Sequence, residues 1–326
     1  MEAMRKFARN HHFVPRGYLA GFTNDGTGDG HLFVADLLSG RVFQTTPRNV
    51  AAERDFNRID AEGLDPDALE RALGDFEGKA ASVLRDIRER GELPPDDQLS
   101  YVINLMALLV VRNPKSRRGM NMARRHTVRI IGDMLASNQD LFERHLSKAK
   151  DDGFIPKDAS VSFEAVRQFV RDDRYTVEVP TGESLALELG AFNNTLRLLG
   201  SRYWSFVTAA VDAPDFVTCD HPVSVVFKDR EMRGPIGYAL PRTEVWFPLG
   251  TRHGLLGVLE DALRKRLTAS PEQAAALNSR TVYHADRQVY SKGESISILR
   301  AGGIAILDVL RSNKRLQPTS STGASG

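Results

Sequence analysis

The chain has 326 residues, 41% of them hydrophobic and 26% charged, proportions of a globular protein that exclude wholesale disorder, collagen-like repeats and coiled-coil rods. Its 44 Lys+Arg against 42 Asp+Glu leave a formal charge of +2, so no global bias points to nucleic acid or a membrane. The lone Cys219 allows no internal disulfide, residues 1–12 lack the apolar run of a secretory signal, and the longest apolar run, Leu105–Val111, is far short of the ~20 residues that span a bilayer. A cytoplasmic protein with no membrane partner is expected.

In chain order, His11-His12-Phe13-Val14-Pro15 comes first. Pro15 holds Val14 extended and suits a helix start, on which Pro15, Tyr18, Leu19 and Phe22 line one face, most simply a core face. If His11–Val14 is extended, His11 and His12 point to opposite sides, so the adjacent pair is a poor two-toothed metal ligand and one ring faces inward. His31–Leu38 and Arg41–Thr45 flank Ser39-Gly40, a two-residue hairpin connection. Read as a strand, Glu53–Ile59 places Glu53, Asp55 and Asn57 on one face, where the oxygens and a nearby His12 form a candidate divalent-metal site. The plainer reading of that face is solvation or pairing with arginine.

From Leu69 to Ile87 apolar residues recur at helical spacing until Gly91 and Pro94-Pro95 stop the run. A second, nearly buried helix opens at Asp96-Asp97 and breaks at Asn113-Pro114. Helical patterns follow at about 116–137, 139–150, 162–172 and 183–199. From Arg202 the texture turns to strands: Tyr203–Thr208 and Phe216–Thr218 are expected to form a hairpin, with further strands at Val223–Phe227, Glu244–Phe247 and Gly254–Leu259. A helix at about 271–285 precedes an expected strand pair, Gln288–Ser291 with Ser295–Leu299. The Ser/Thr/Gly-rich tail 312–326 is expected to be disordered. The pattern predicts a single α+β domain over 1–311, with a helical block at about 65–199, a C-terminal sheet region at about 202–311, and the terminal strands sharing one sheet.

The His-His-aromatic-Val-Pro opening with Tyr18-Leu19 and Phe22 resembles a bacterial family catalogued as domain of unknown function 4238. Asn49–Phe56 is similar to that family's second block, Glu77 and Arg112-Asn113-Pro114 to its helical landmarks, and Trp204 with Phe216–Pro222 to its Trp and Thr-Ser-Asp-x-Pro segment. The match spreads over about 11–290. Asn57 stands where an aromatic is common and Cys219 where Ser is common. The resemblance implies a family and no particular activity. The opening is also similar to the His-His-x-x-Pro strand of His-Asn-His nucleases. Asn49 and Asn57 could supply the Asn of that motif, but no His lies between His31 and His126 to complete it.

The candidate catalytic residues are therefore His11, His12, Glu53, Arg112 and Asp220, with His221 beside Asp220 as a titratable neighbour; the metal candidates are His12, Glu53 and Asp55. Polar groups of this kind mark either buried pairs or a site. Residues 112–129 hold seven basic side chains and no acidic one, which leaves the remainder of the chain net acidic. Lys115, Arg117, Arg118, Arg124, Arg125 and Arg129 are the polyanion-binding candidates, with Arg112 steadying phosphate charge. These features predict a phosphodiester hydrolase acting on nucleic acid with a divalent metal as candidate cofactor, or, as the alternative, a non-catalytic module that binds nucleic acid or another polyanion.

Overall fold

The computed structural model describes residues 9–59, 65–173, 175–229, 232, 234–260 and 266–309; the tail 312–326 lies outside them. Within them the architecture is α+β. Strands β1 (Asn10–His12), β2 (Leu32–Asp36), β3 (Arg41–Thr45) and β4 (Ala52–Arg54) precede the helices α2 (Ala68–Arg90), α3 (Asp96–Val111), α4 (Pro114–Ser137), α5 (Gln139–Asp151), α6 (Phe163–Arg171) and α7 (Thr181–Gly200), with the short α1 (Arg16–Leu19) ahead of β2. β5 (Tyr203–Ala209) to β10 (Arg266–Ala269), α8 (Pro271–His284), β11 (Gln288–Ser291), β12 (Ser297–Arg300) and β13 (Gly303–Ile306) complete the described chain.

The expected hairpin forms, but its connection is the four residues 37–40 rather than Ser39-Gly40 alone: β2 ends at Asp36 and pairs antiparallel with β3, the turn held by Leu38 and Ser39 N–H groups on Asp36 Oδ1, with Gly40 at φ +71°. β2 also pairs with β11, and β11 with β6 (Thr218–Cys219), giving a four-stranded sheet of order β3-β2-β11-β6. The two ends of the chain thus share a sheet. A second sheet has the order β10-β5-β9-β8-β7, with β7 at Ser224–Phe227, β8 at Thr243–Pro248 and β9 at His253–Val258.

Two expected pairings are corrected. β5 pairs with β9 and β10 rather than folding back on Phe216–Thr218, because β6 joins the other sheet. β11 pairs with β2 and β6, while β12 pairs with β13. In both cases the nearest extended segment in sequence loses to a distant one that completes a buried sheet.

The core runs between the second sheet and the helices. α3 is apolar on nearly every side and accordingly lies inside, with Val102, Leu105, Met106, Ala107 and Leu109 almost wholly buried. Trp204, Phe206, Phe216 and Val217 are all buried, although Phe216 and Val217 lie just ahead of β6, which covers Thr218–Cys219 rather than the expected Phe216–Thr218. Trp204 lies so close over Gly257 that a Cβ there would sit 2.7 Å from the indole, and its Nε1 donates to Leu199 O at 3.1 Å. Tyr18 stitches the N-terminal segment to both sheets: its hydroxyl donates to Pro248 O (2.9 Å) and lies 2.7 Å from Thr218 Oγ1. Pro15 caps α1 from just outside, one position earlier than the sequence suggests.

Candidate functional site

The His-His strand β1 pairs antiparallel with β4, setting His11 opposite Glu53. As alternation requires, His11 is buried and His12 half-buried on the other side. His11 Nδ1 accepts the Asn57 N–H at 2.8 Å, and His12 Nε2 lies 3.2 Å from Pro47 O. Burial holds the His12 imidazolium below its ordinary range.

Arg112 caps the C-terminal end of α3 and turns back beneath this strand. It donates to His12 O (3.0 Å), Asn57 Oδ1 (3.2 Å) and Glu77 Oε1 (2.9 Å), while Asn57 Nδ2 donates to Glu70 at 2.6 Å. Burial outweighs the pull of Arg112 and pushes the Glu77 carboxyl up to about 7. This network joins four chain segments, and Arg112 is only 5% exposed, so it is a structural clamp rather than a group offered to phosphate.

Asp220 is similarly committed. Its oxygens accept the N–H groups of Asp286 (2.8 Å), Arg287 (2.7 Å) and Gln288 (2.8 Å), fastening β6 to the entry of β11 rather than capping its own turn. Burial raises it to about 6 against those donors. His221 stacks on His284 at 4.3 Å, and burial lowers the two rings to about 2 and about 4. His221, named from sequence as a titratable neighbour of Asp220, is thus a neutral imidazole in the neutral range.

Four blocks of the chain nevertheless meet at one cleft of about 660 Å³ between β4, the first turn of α4 and the entry to β11, where Glu53, Lys115, Arg118, Asp220, Asp286 and Gln288 line the walls. Glu53 is exposed and has no side-chain partner among the described residues. The expected face of Glu53, Asp55 and Asn57 does not form: β4 ends at Arg54, and Asp55 turns away at φ +56° to pair with Arg9 and Arg54. Asn57 points into the Arg112 network. Among the described residues no three His, Cys, Asp or Glu side chains gather to hold a metal ion, so His12, Glu53 and Asp55 do not form the expected set.

The basic run is mostly occupied by protein partners. Arg117 bonds Glu188 through two nitrogens (2.5 and 2.9 Å), donates to Phe56 O and lies 3.5 Å over the Phe56 ring. Arg118 pairs with Asp286, Arg124 with Glu183, Arg129 with Asp173, and Lys115 donates to His284 O. The Arg125 side chain has no hydrogen bond or ion pair among the described residues. Sequence reasoning missed Glu70, Glu188, His284 and Asp286, and it expected Asn57 on a metal-facing strand where the structure puts it in the Arg112 network.

The family model described as Protein of unknown function (DUF4238) matches residues 10–295, and the chain belongs to that family. No curated protein and no solved structure matches the chain. Among the described residues no helix is long and apolar enough to cross a membrane.

Proposed function

We propose that the protein is a binding module for phosphate-bearing ligands, nucleic acid foremost, which seats a phosphate in the cleft at the N-terminal end of α4. One observation carries this reading: Lys115 and Arg118 line a cleft of ligand size at the positive end of a 24-residue helix. The carboxylates opposite do not forbid it. Arg118 is 58% exposed in its pair with Asp286, and an exposed pair contributes at most about 1 kcal/mol, so a phosphate can replace that partner. The test is binding of labelled single-stranded RNA and duplex DNA across a salt series. Lys115→Ala with Arg118→Ala should reduce the slope of log affinity against log salt by roughly 1.4–1.8, depending on the strand. No binding at low salt, or an unchanged slope, overturns the reading.

Hydrolysis of a phosphodiester is the second reading, and Glu53 is the observation that favours it: an exposed carboxylate in the same cleft, free of side-chain partners among the described residues. It ranks second because His11, Arg112 and Asp220, the other expected catalytic groups, spend their hydrogen bonds on the fold. Gel analysis of the same RNA and DNA samples separates the two. Cleavage abolished by Glu53→Gln with binding retained would promote the hydrolase; intact substrate throughout would leave the module.

A further inference from the structure

We propose that the groove between α2 and the loop 24–30 is a second ligand site, built for a small molecule that carries both a carboxylate and an ammonium group, the amino-acid class. The groove encloses about 600 Å³ and shares no lining residue with the phosphate cleft. Small side chains, Ala20 and Ala81, leave it room, and its charged groups come from two elements: Arg85, Arg88 and Glu89 from α2, and Asp25 from the loop. Arg88 and Asp25 are each fixed before a ligand arrives. The half-buried Arg88 runs past Gly250 in the turn between β8 and β9, where a Cβ would lie 2.7 Å from its Cδ, and its Nη1 donates to Leu249 O at 3.1 Å. Asp25 Oδ1 accepts the Thr27 N–H (2.9 Å), the Thr27 hydroxyl (2.9 Å) and the Thr23 hydroxyl (3.4 Å), and a Cβ on Gly30 would lie 2.0 Å from that oxygen. The Thr27 donors hold this carboxyl below the usual carboxylate range, so it is an anion at neutral pH.

Neither charge has an ion partner among the described residues, and the two do not pair with each other. A guanidinium whose one acceptor is a neutral carbonyl keeps further N–H donors, and its planar fork matches a carboxylate. Asp25 Oδ2 takes none of the loop's hydrogen bonds and keeps its acceptor capacity for an ammonium. Two fixed charges of opposite sign that line one cavity unpaired are complementary to a ligand bearing both signs. Arg85 and Glu89, both exposed, add one more of each, so the lining is neutral overall. A phosphate would meet two carboxylates here and a simple amine two guanidiniums, whereas a zwitterion satisfies both sets. Holding both ends of the site in place reduces the ordering cost of binding.

Thermal melts of the full chain with each of the twenty standard amino acids at about 10 mM, followed by calorimetric titration of those that raise the midpoint, test this at the roughly 0.1–1 mM affinity expected of a small open site. The controls for a binder are its deaminated acid and its decarboxylated amine; for alanine these are propionate and ethylamine. At least one amino acid should bind, and each control should bind about tenfold more weakly or worse. Asp25→Asn keeps an oxygen acceptor for Thr27 while removing the charge, so it should weaken the amino acid about tenfold and leave the acid control unchanged. Arg88→Lys keeps the charge but loses the fork and should weaken the amino acid and the acid alike. The wild-type comparison of ligands holds even where a substitution perturbs the fold. Absence of binding by all twenty overturns the proposal. So does an acid control or inorganic phosphate that binds as tightly as the amino acid, which would make the groove a plain anion site, or an affinity indifferent to either substitution.

Discussion

The first two turns of α4 and the turns that follow belong to one basic run of sequence but have different surroundings. Near the α3–α4 corner, Arg112 and Arg117 are sunk among Glu77, Asn57, Glu188 and the Phe56 ring; further along, Arg125 stands in solvent beside bared apolar side chains. The same residue type is therefore a structural clamp at one end and a surface charge at the other. A run of cations is evidence for a polyanion surface only at the positions that buried carboxylates have not already claimed.

Arg112→Ala should separate the two ends most strongly. Removing one partner of a buried pair leaves the other uncompensated, so unfolding in urea should show a loss of about 3–5 kcal/mol. Arg125→Ala should stay within about 0.5 kcal/mol of wild type. Similar costs for the two would abolish the distinction.

The clamp also predicts a pH signature. Glu77 in the folded protein holds its proton to about pH 7, whereas in the unfolded chain it releases it near 4.5. Between those values the folded state binds more protons than the unfolded one. The contribution is thus fully present below about 4.5 and is lost as pH rises to about 7, by up to roughly 3 kcal/mol. Relative to Glu77→Gln, which cannot titrate, the wild type should lose stability across that window. A flat difference would place Glu77 in water-like surroundings and open the clamp. A smaller effect, about 1–3 kcal/mol, is expected for Asp220→Asn, which replaces a carboxylate receiving three N–H bonds by an amide with one acceptor oxygen.

Local features of the sequence reported the fold well. The apolar run of α3, the 3–4 spacing of α2 and the Ser39-Gly40 turn each fix a structure from neighbours within a few residues. What it concealed is long-range. Arg112 finds Glu77, Asn57 and His12 at separations of 35, 55 and 100 residues, and Asp220 finds its donors 66–68 residues downstream. Residue type announced these groups as important but not whether partners or ligands would claim them. The misread face at Glu53–Asn57 has a local cause: Asp55 takes a left-handed conformation that ends the alternation on which the expectation rested.

The smallest effect tests the boundary between the two ends of α4. Arg124 reaches Glu183 of α7, and the side chains are 43% and 46% exposed, so this ion pair lies between the buried clamp and the bare stretch. Water screens such charges, and holding two long side chains in one geometry offsets much of the attraction. A double-mutant cycle with Arg124→Ala and Glu183→Ala should therefore return a coupling of about 0.2–1 kcal/mol at low salt, fading towards zero at about 1 M, where the screening length is roughly 3 Å. If the coupling instead persists at high salt, the pair behaves as buried, and the clamp extends at least a further turn along α4.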